Sequence, residues 1–176
     1  MATEPEELLV TRRFRVIRQV QKTPDGKLHV RETVQHPGAV TILPLVDEGH
    51  VCLIRNYRVA VSATLLELPA GTLEPGEDPA VTAGRELIEE TGYRAGTIEK
   101  LCEFYMSPGI LNERMHLYLA RDLALGETAL EPGEDIETLV VTWADALRMA
   151  CDGTIQDAKT LVGLFFYDRL RQKSAG

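Results

Sequence analysis

The segment from Gly71 to Tyr93, GTLEPGEDPAVTAGRELIEETGY, fixes one helix and both of its ends, and the rest of the chain must be arranged around it. Asp78 followed by Pro79 reads as an N-cap with proline at the first helical position, where its missing N–H costs nothing. Gly92 is the stop, the residue that most easily takes the left-handed C-terminal conformation. Between them Ala80, Ala83, Leu87 and, at the edge of the stripe, Ile88 recur at helical spacing and would face a core. Glu86 and Glu90 are four apart and lie one turn from each other, flanking that stripe, with Glu89 close to both. Carboxylates crowded onto so small a surface repel one another unless positive charge sits among them. A hard divalent cation, which takes oxygen ligands and completes its shell with water and substrate phosphates, would supply it. The plain alternative is a solvated acidic face with i,i+4 pairs such as Arg85 to Glu89.

Within the segment, Gly71, Glu77, Arg85, Glu86, Glu89, Glu90 and Gly92 stand at the spacing G-x5-E-x7-R-E-U-x-E-E-x-G-U, where U is bulky and apolar. Leu87 fills the first U, and Tyr93, an aromatic, stands at the last. This is the Nudix box, and the chain resembles the Nudix hydrolase family, which cleaves a nucleoside diphosphate linked to some other group. The resemblance covers roughly Gly38 to Leu170. It implies an α/β fold, an α-β-α sandwich around a mixed sheet, in which the box forms a loop-helix-loop.

Composition is consistent with this. At 176 residues the chain can form one domain with a real core. Its 44% hydrophobic and 26% charged content is that of an ordinary globular protein. A net charge of −8 argues against nucleic acid as a partner, which calls for a basic surface. An anionic substrate must then be met by local arginines and cations. Cys52, Cys102 and Cys151 are widely spaced, without zinc or disulfide patterning, and read as free thiols in a reducing compartment. The acidic MATEPEELLV start lacks the features of a signal peptide, and no apolar run approaches membrane-spanning length. A cytoplasmic protein with no membrane partner is expected.

In chain order, Arg12 to Gln21 and Lys27 to Gln35 read as a polar hairpin about the Pro24-Asp25-Gly26 turn. Gly38 to Val46 and His50 to Arg55 are more apolar and should be central strands, and Leu65 to Pro69 a short strand entering the box. Strands follow around Ile98 to Tyr105 and Arg114 to Ala120. The acidic, Pro/Gly-containing stretch from Gly126 to Asp135 should be a mobile loop. A strand from Leu139 to Trp143, a short helix from Ala144 to Ala150 and a last helix from about Gln156 to Arg171 complete the chain. On that helix Leu161, Leu164, Phe165 and Tyr167 to Leu170 are expected to pack inward. The expected division is an N-terminal β extension over 1–37 and a Nudix domain over 38–176.

The box fixes reaction class and leaves the substrate to other residues. The loop Ser107 to Glu113, SPGILNE, is similar to the S-P-G-x-x-x-E of ADP-ribose pyrophosphatases, and the N-terminal hairpin is similar to the extension of that ADP-sugar branch. ELPAG entering the box, RNYRVA at Arg55 to Ala60 and IQDAKTLVGL near the end look like the same branch. A plain Pro-Gly turn is the bland reading of the loop. The branch resemblance implies Pro108, Gly109 and Glu113 at the substrate. It also implies Arg31 and Arg58 at the diphosphate, a task that suits planar, always-charged guanidinium groups. The four histidines are scattered and show no catalytic pattern.

The reaction implied is attack of water on phosphorus, with Mg²⁺ (or Mn²⁺), two or three ions per site, bridging the diphosphate. Glu86 and Glu90 are the expected principal ligands, Glu89 a third, and the Ala70 carbonyl a further donor. Arg85 would orient the carboxylates, and Glu77 would tie the loop to the helix. The branch places a general base on the loop between later strands. Here that is Glu134, with Glu131 and Glu137 as rivals. ADP-ribose or a related ADP-sugar is the expected substrate, yielding AMP and a sugar phosphate. The alternatives are GDP-mannose or another nucleoside-diphosphate compound, and a non-catalytic ADP-ribose sensor, against which the intact box speaks. By resemblance the protein would be a homodimer.

Overall fold

A computed structural model describes residues 4–130 and 135–174. Three strands, β1 (Glu6–Val10), β2 (Arg15–Lys22) and β3 (Leu28–Gln35), form a small antiparallel sheet ahead of the main body. The larger sheet is built from β4 (Ala39–Asp47), β5 (His50–Arg58), β6 (Ala63–Glu67), β7 (Ala70–Thr72), β8 (Tyr93–Tyr105), β9 (Arg114–Leu125) and β10 (Ile136–Thr142). Its main path runs β10-β5-β4-β9-β8, with β6 beside β5 and β7 beside β4. Only the β4–β9 pairing is parallel among these described strands, so the sheet is mixed.

Helices α1 (Pro79–Thr91), α2 (Trp143–Cys151) and α3 (Ala158–Ser174) cover the two faces of this sheet. β4 is buried nearly throughout because successive side chains alternate between two cores. Val40 and Ile42 pack with Tyr118, Ala120, Ala83 and Leu87 under α1. Leu43 and Leu45 pack with Leu119, Trp143, Ala146 and Leu164 under α2 and α3. The architecture is the expected α-β-α sandwich with an N-terminal antiparallel extension. Among the described residues no helix is long and apolar enough to cross a membrane.

Several boundaries differ from the sequence reading. β1 and β7 were not anticipated: β7 is three residues long and exists because Ala70, Gly71 and Thr72 pair with Thr41, Val40 and Ala39. β8 starts at Tyr93, directly after the helix stop, and β9 runs on to Leu125. On α3 the inward line is Thr160, Leu161, Leu164 and Tyr167, whereas Phe165 and Leu170 are exposed. The reason is local: TLVGLFFY is apolar around the helix, so its periodicity does not select a face.

Candidate active site

The ends of α1 are set as the sequence requires. Asp78 is extended at φ −70° and ψ 128°, and its carboxylate accepts from the Ala80 N–H at 2.7 Å. Gly92 takes the left-handed conformation at φ 74°, and its N–H donates to the Ile88 carbonyl at 2.8 Å. This places Glu89 and Glu90 in the last turn, at the negative end of the helix dipole, with no basic residue in that turn. The arrangement opposes stability, as groups gathered for chemistry often do.

Arg85 gathers the acids. One guanidinium nitrogen, Nη1, lies 2.8 Å from both Glu86 and Glu89, and the group also reaches Glu77 at 3.3 Å. Burial alone would lower the Arg85 pKa, but the bond to Glu77 and the charges of Glu86 and Glu89 outweigh it and hold it above its ordinary value. The hydrogen bond from Arg85 likewise keeps the Glu77 carboxyl below the usual range. Glu90, only 4% exposed, instead accepts from the Ala70 N–H at 2.9 Å. Glu86 lies so close over Gly71 that a Cβ built there would overlap its carboxyl group outright.

These groups border one open cavity of about 710 Å³. Glu86, Glu89, Glu90, Ala70 and Gly71 line it, together with Arg58, His36 and Asn112 and the run Arg12, Arg13, Phe14 and Arg15. The size lies within the roughly 300–1,000 Å³ common for small-molecule sites. Carboxylates and arginines at one hollow can hold cations and an anionic ligand together. Three hard oxygen donors on adjacent turns, seated against the loop backbone, fit a divalent cation in chemistry. Among the described residues no three acidic, His or Cys side chains converge into a finished cage, because Arg85 draws in Glu86 and Glu89 while Glu90 turns to Ala70.

Other sequence candidates fall elsewhere. Arg31 sits on β3 opposite Gln19, exposed, and does not line the cavity. Pro108 and Gly109 do not line it either, and Glu113 lies 3.6 Å from His36. The SPGILNE loop instead joins the two sheets. Val34 N–H donates to the Ile110 carbonyl at 2.8 Å, and the Asn112 side chain accepts from His36 N–H at 2.7 Å and donates to Gln35 at 2.8 Å. Glu137, on β10, lies 3.8 Å from Arg55, away from the cavity. Glu131 and Glu134 lie outside the described residues.

Sequence reasoning missed two groups. One is the arginine run of the β1–β2 turn, which shows in the sequence as TRRFR. The other is a buried ion cluster behind the cavity. Glu67 is wholly buried and receives Arg58 through Nε at 2.8 Å and Nη2 at 2.6 Å, and also receives Lys159. Burial pushes the Glu67 carboxyl up, yet Arg58 and Lys159 outweigh it and leave it below its ordinary 4.5. A carboxyl depressed by folding adds stability that is complete above its unfolded pKa and is lost as the pH falls through the folded value. Acidification below pH 4.5 should therefore narrow the stability gap between wild type and Glu67→Gln, read as thermal midpoints across pH. A constant gap would contradict it.

A family model described as the NUDIX domain matches residues 35–161. An ADP-ribose pyrophosphatase of Bacillus subtilis is 45% identical over 78% of this chain and 75% of its own. A methanol dehydrogenase activator of Bacillus methanolicus is 40% identical over 80% and 77%, and a GDP-mannose pyrophosphatase of Shigella flexneri is 38% identical over 78% of each. A crystal structure of an ADP compounds hydrolase superposes with a TM-score of 0.82 at 25% identity, covering 99% of this chain and 97% of that one. The family match over residues 35–161, together with pyrophosphatase relatives at 45% and 38% identity, shows that the chain belongs to the Nudix family and is a hydrolase.

Proposed function

We propose that the protein hydrolyses the pyrophosphate bond of ADP-ribose or a related ADP-sugar, giving AMP and a sugar phosphate. One observation carries the reading. The α1 carboxylates and a set of arginines line the same cavity, as a substrate with a diphosphate between two organic groups requires. The similarity to an ADP-ribose pyrophosphatase supports the choice of sugar nucleotide.

Glu86, Glu89 and Glu90, with the Ala70 carbonyl, would hold Mg²⁺ or Mn²⁺, two or three ions per site. Ions held there would supply charge neutralisation at the diphosphate and a lowered pKa for the attacking water. Arg85 keeps the carboxylates oriented, and Arg58 meets the diphosphate. Glu134 takes the proton from the attacking water. The described residues that precede it support this, since Gly126 and Ala129 donate to the Gly92 and Glu89 carbonyls at 2.9 and 3.1 Å, which holds residues 126–129 against the carboxylate end of α1. Glu134→Gln is expected to lower kcat by about 10²- to 10⁴-fold with KM little changed. A near-wild-type rate would move the role to Glu131, since Glu137 pairs with Arg55 away from the cavity.

Residues 1–37 act as a β extension that packs in a homodimer of a cytoplasmic enzyme. The three-stranded sheet, which exposes Leu9, Val10, Leu28 and Val30 and is joined to the 38–176 unit through Asn112, supports treating it as a separate layer. GDP-mannose is the second reading, favoured by the similarity to a GDP-mannose pyrophosphatase. A phosphatase-coupled assay on ADP-ribose, GDP-mannose and other nucleotide sugars, with and without Mg²⁺, tests both. The highest kcat/KM is expected for ADP-ribose, only with the cation. Binding of ADP-ribose without turnover would make the protein a sensor.

A further inference from the structure

Glu67 ends β6, and two residues separate it from β7, the strand that carries Ala70 and Gly71. Its carboxylate takes a side-on fork from Arg58 on one side and Lys159 of α3 on the other. Lys159, with its side chain 8% exposed, also donates to Asp157 at 2.9 Å. Asp157 in turn accepts from the Thr160 N–H at 3.0 Å and hydroxyl at 2.6 Å, and the Thr160 oxygen accepts from the Leu68 N–H at 2.7 Å. The DAKT portion of IQDAKTLVGL is thus spent on fixing residues 67 and 68. Of the three charges at the centre, only Arg58 borders the cavity.

A buried ion cluster is a weak device for stability, because well-packed apolar residues do as well or better. What it can do, and apolar residues cannot, is lock a guanidinium in one orientation. The fork occupies Nε and Nη2, which leaves the Nη1 edge of Arg58 for an anion. Arg58 also feels the charge of Glu90, so the cluster reaches as far as the carboxylate helix.

We propose that Glu67 and Lys159 are positioning residues: Glu67, backed by Lys159 from α3, holds Arg58 so that its Nη1 edge faces the diphosphate of the substrate. This rests on the assignment of Arg58 to the diphosphate made under Proposed function. The C-terminal helix thereby sets the grip on substrate without touching it.

The test is a double-mutant cycle on the full chain, with steady-state kinetics on ADP-ribose and Mg²⁺ and a thermal melt of each variant. Arg58→Ala is expected to raise KM about tenfold, and Glu67→Gln to raise it comparably with kcat within about threefold of wild type, as loss of uniform binding does. In the Arg58→Ala background, Glu67→Gln should change KM by less than about twofold, because the two act as one unit. An unchanged KM in Glu67→Gln, or the same factor in both backgrounds, overturns the proposal. A purely structural Glu67 would lower the melting temperature and active fraction while leaving KM alone. If Glu67→Gln does not fold, Lys159→Met serves in the same cycle. It should raise KM about threefold alone and leave it unchanged beside Arg58→Ala, and equal factors overturn the proposal. If Arg58→Ala keeps the wild-type KM, the diphosphate assignment of Arg58 fails and takes the proposal with it. A wild-type chain that hydrolyses no nucleotide sugar refutes the function itself.

Discussion

Glu90→Gln is expected to cut kcat by about 10²- to 10³-fold, the usual loss when one electrostatic group of an active site is removed. The fold should survive. Glutamine has the same size, and its carbonyl can still accept the Ala70 N–H that Glu90 accepts at 2.9 Å. The change also removes a negative charge from the last turn of α1, where the helix dipole disfavours one. Stability should therefore hold or rise slightly while turnover collapses, and that opposite movement separates a functional carboxylate from a structural one. Glu90→Ala, by contrast, leaves a part-buried N–H without its acceptor and should cost about 1–3 kcal/mol as well. The checks are kcat at saturating Mg²⁺, the thermal midpoint, and cation affinity by calorimetry. Wild-type turnover in Glu90→Gln would remove the α1 carboxylates from the reaction.

What could be read from the sequence was what is decided locally. The start at Asp78 and Pro79, the stop at Gly92 and the shared face of Glu86 and Glu90 each depend on residues within a few positions of one another. The apolar central strands were legible for the same reason. What was missed depends on long-range closure. Glu67 meets Arg58 nine residues away but Lys159 ninety-two residues away, and no periodicity links those positions. The strings that contain them, RNYRVA, ELPAG and IQDAKTLVGL, look like one branch of the family, and the buried cluster gives that likeness a physical reason. Arg12, Arg13 and Arg15, which read as the start of a polar hairpin strand, line the cavity because the small sheet lies against it. Arg31, on the neighbouring strand, does not reach it.

The second large effect is expected at a residue with no side chain. Gly71 does not need glycine for its backbone, since it is not among the glycines with positive φ, and it pairs with Val40 as an ordinary strand residue. Gly71→Ala should therefore be tolerated by the main chain, and the restricted unfolded state could even add about 0.4–1 kcal/mol. The new methyl, however, would occupy the place of the Glu86 carboxyl group. The obstructing atoms are the far end of a flexible side chain, so the cheapest relief is for Glu86 to swing away while the loop stays in place. Misplacing a catalytic group by about 1 Å can cost on the order of 10²-fold. A kcat/KM loss of about that size is expected, with a thermal midpoint close to wild type. Combining the change with Glu86→Gln should reduce activity no further than Glu86→Gln alone if the methyl acts only by displacing that carboxylate. Additive losses would mean that Gly71 meets the substrate or a cation through its own backbone, and undiminished turnover in the single variant would mean that the seat of Glu86 against the loop is immaterial to the reaction.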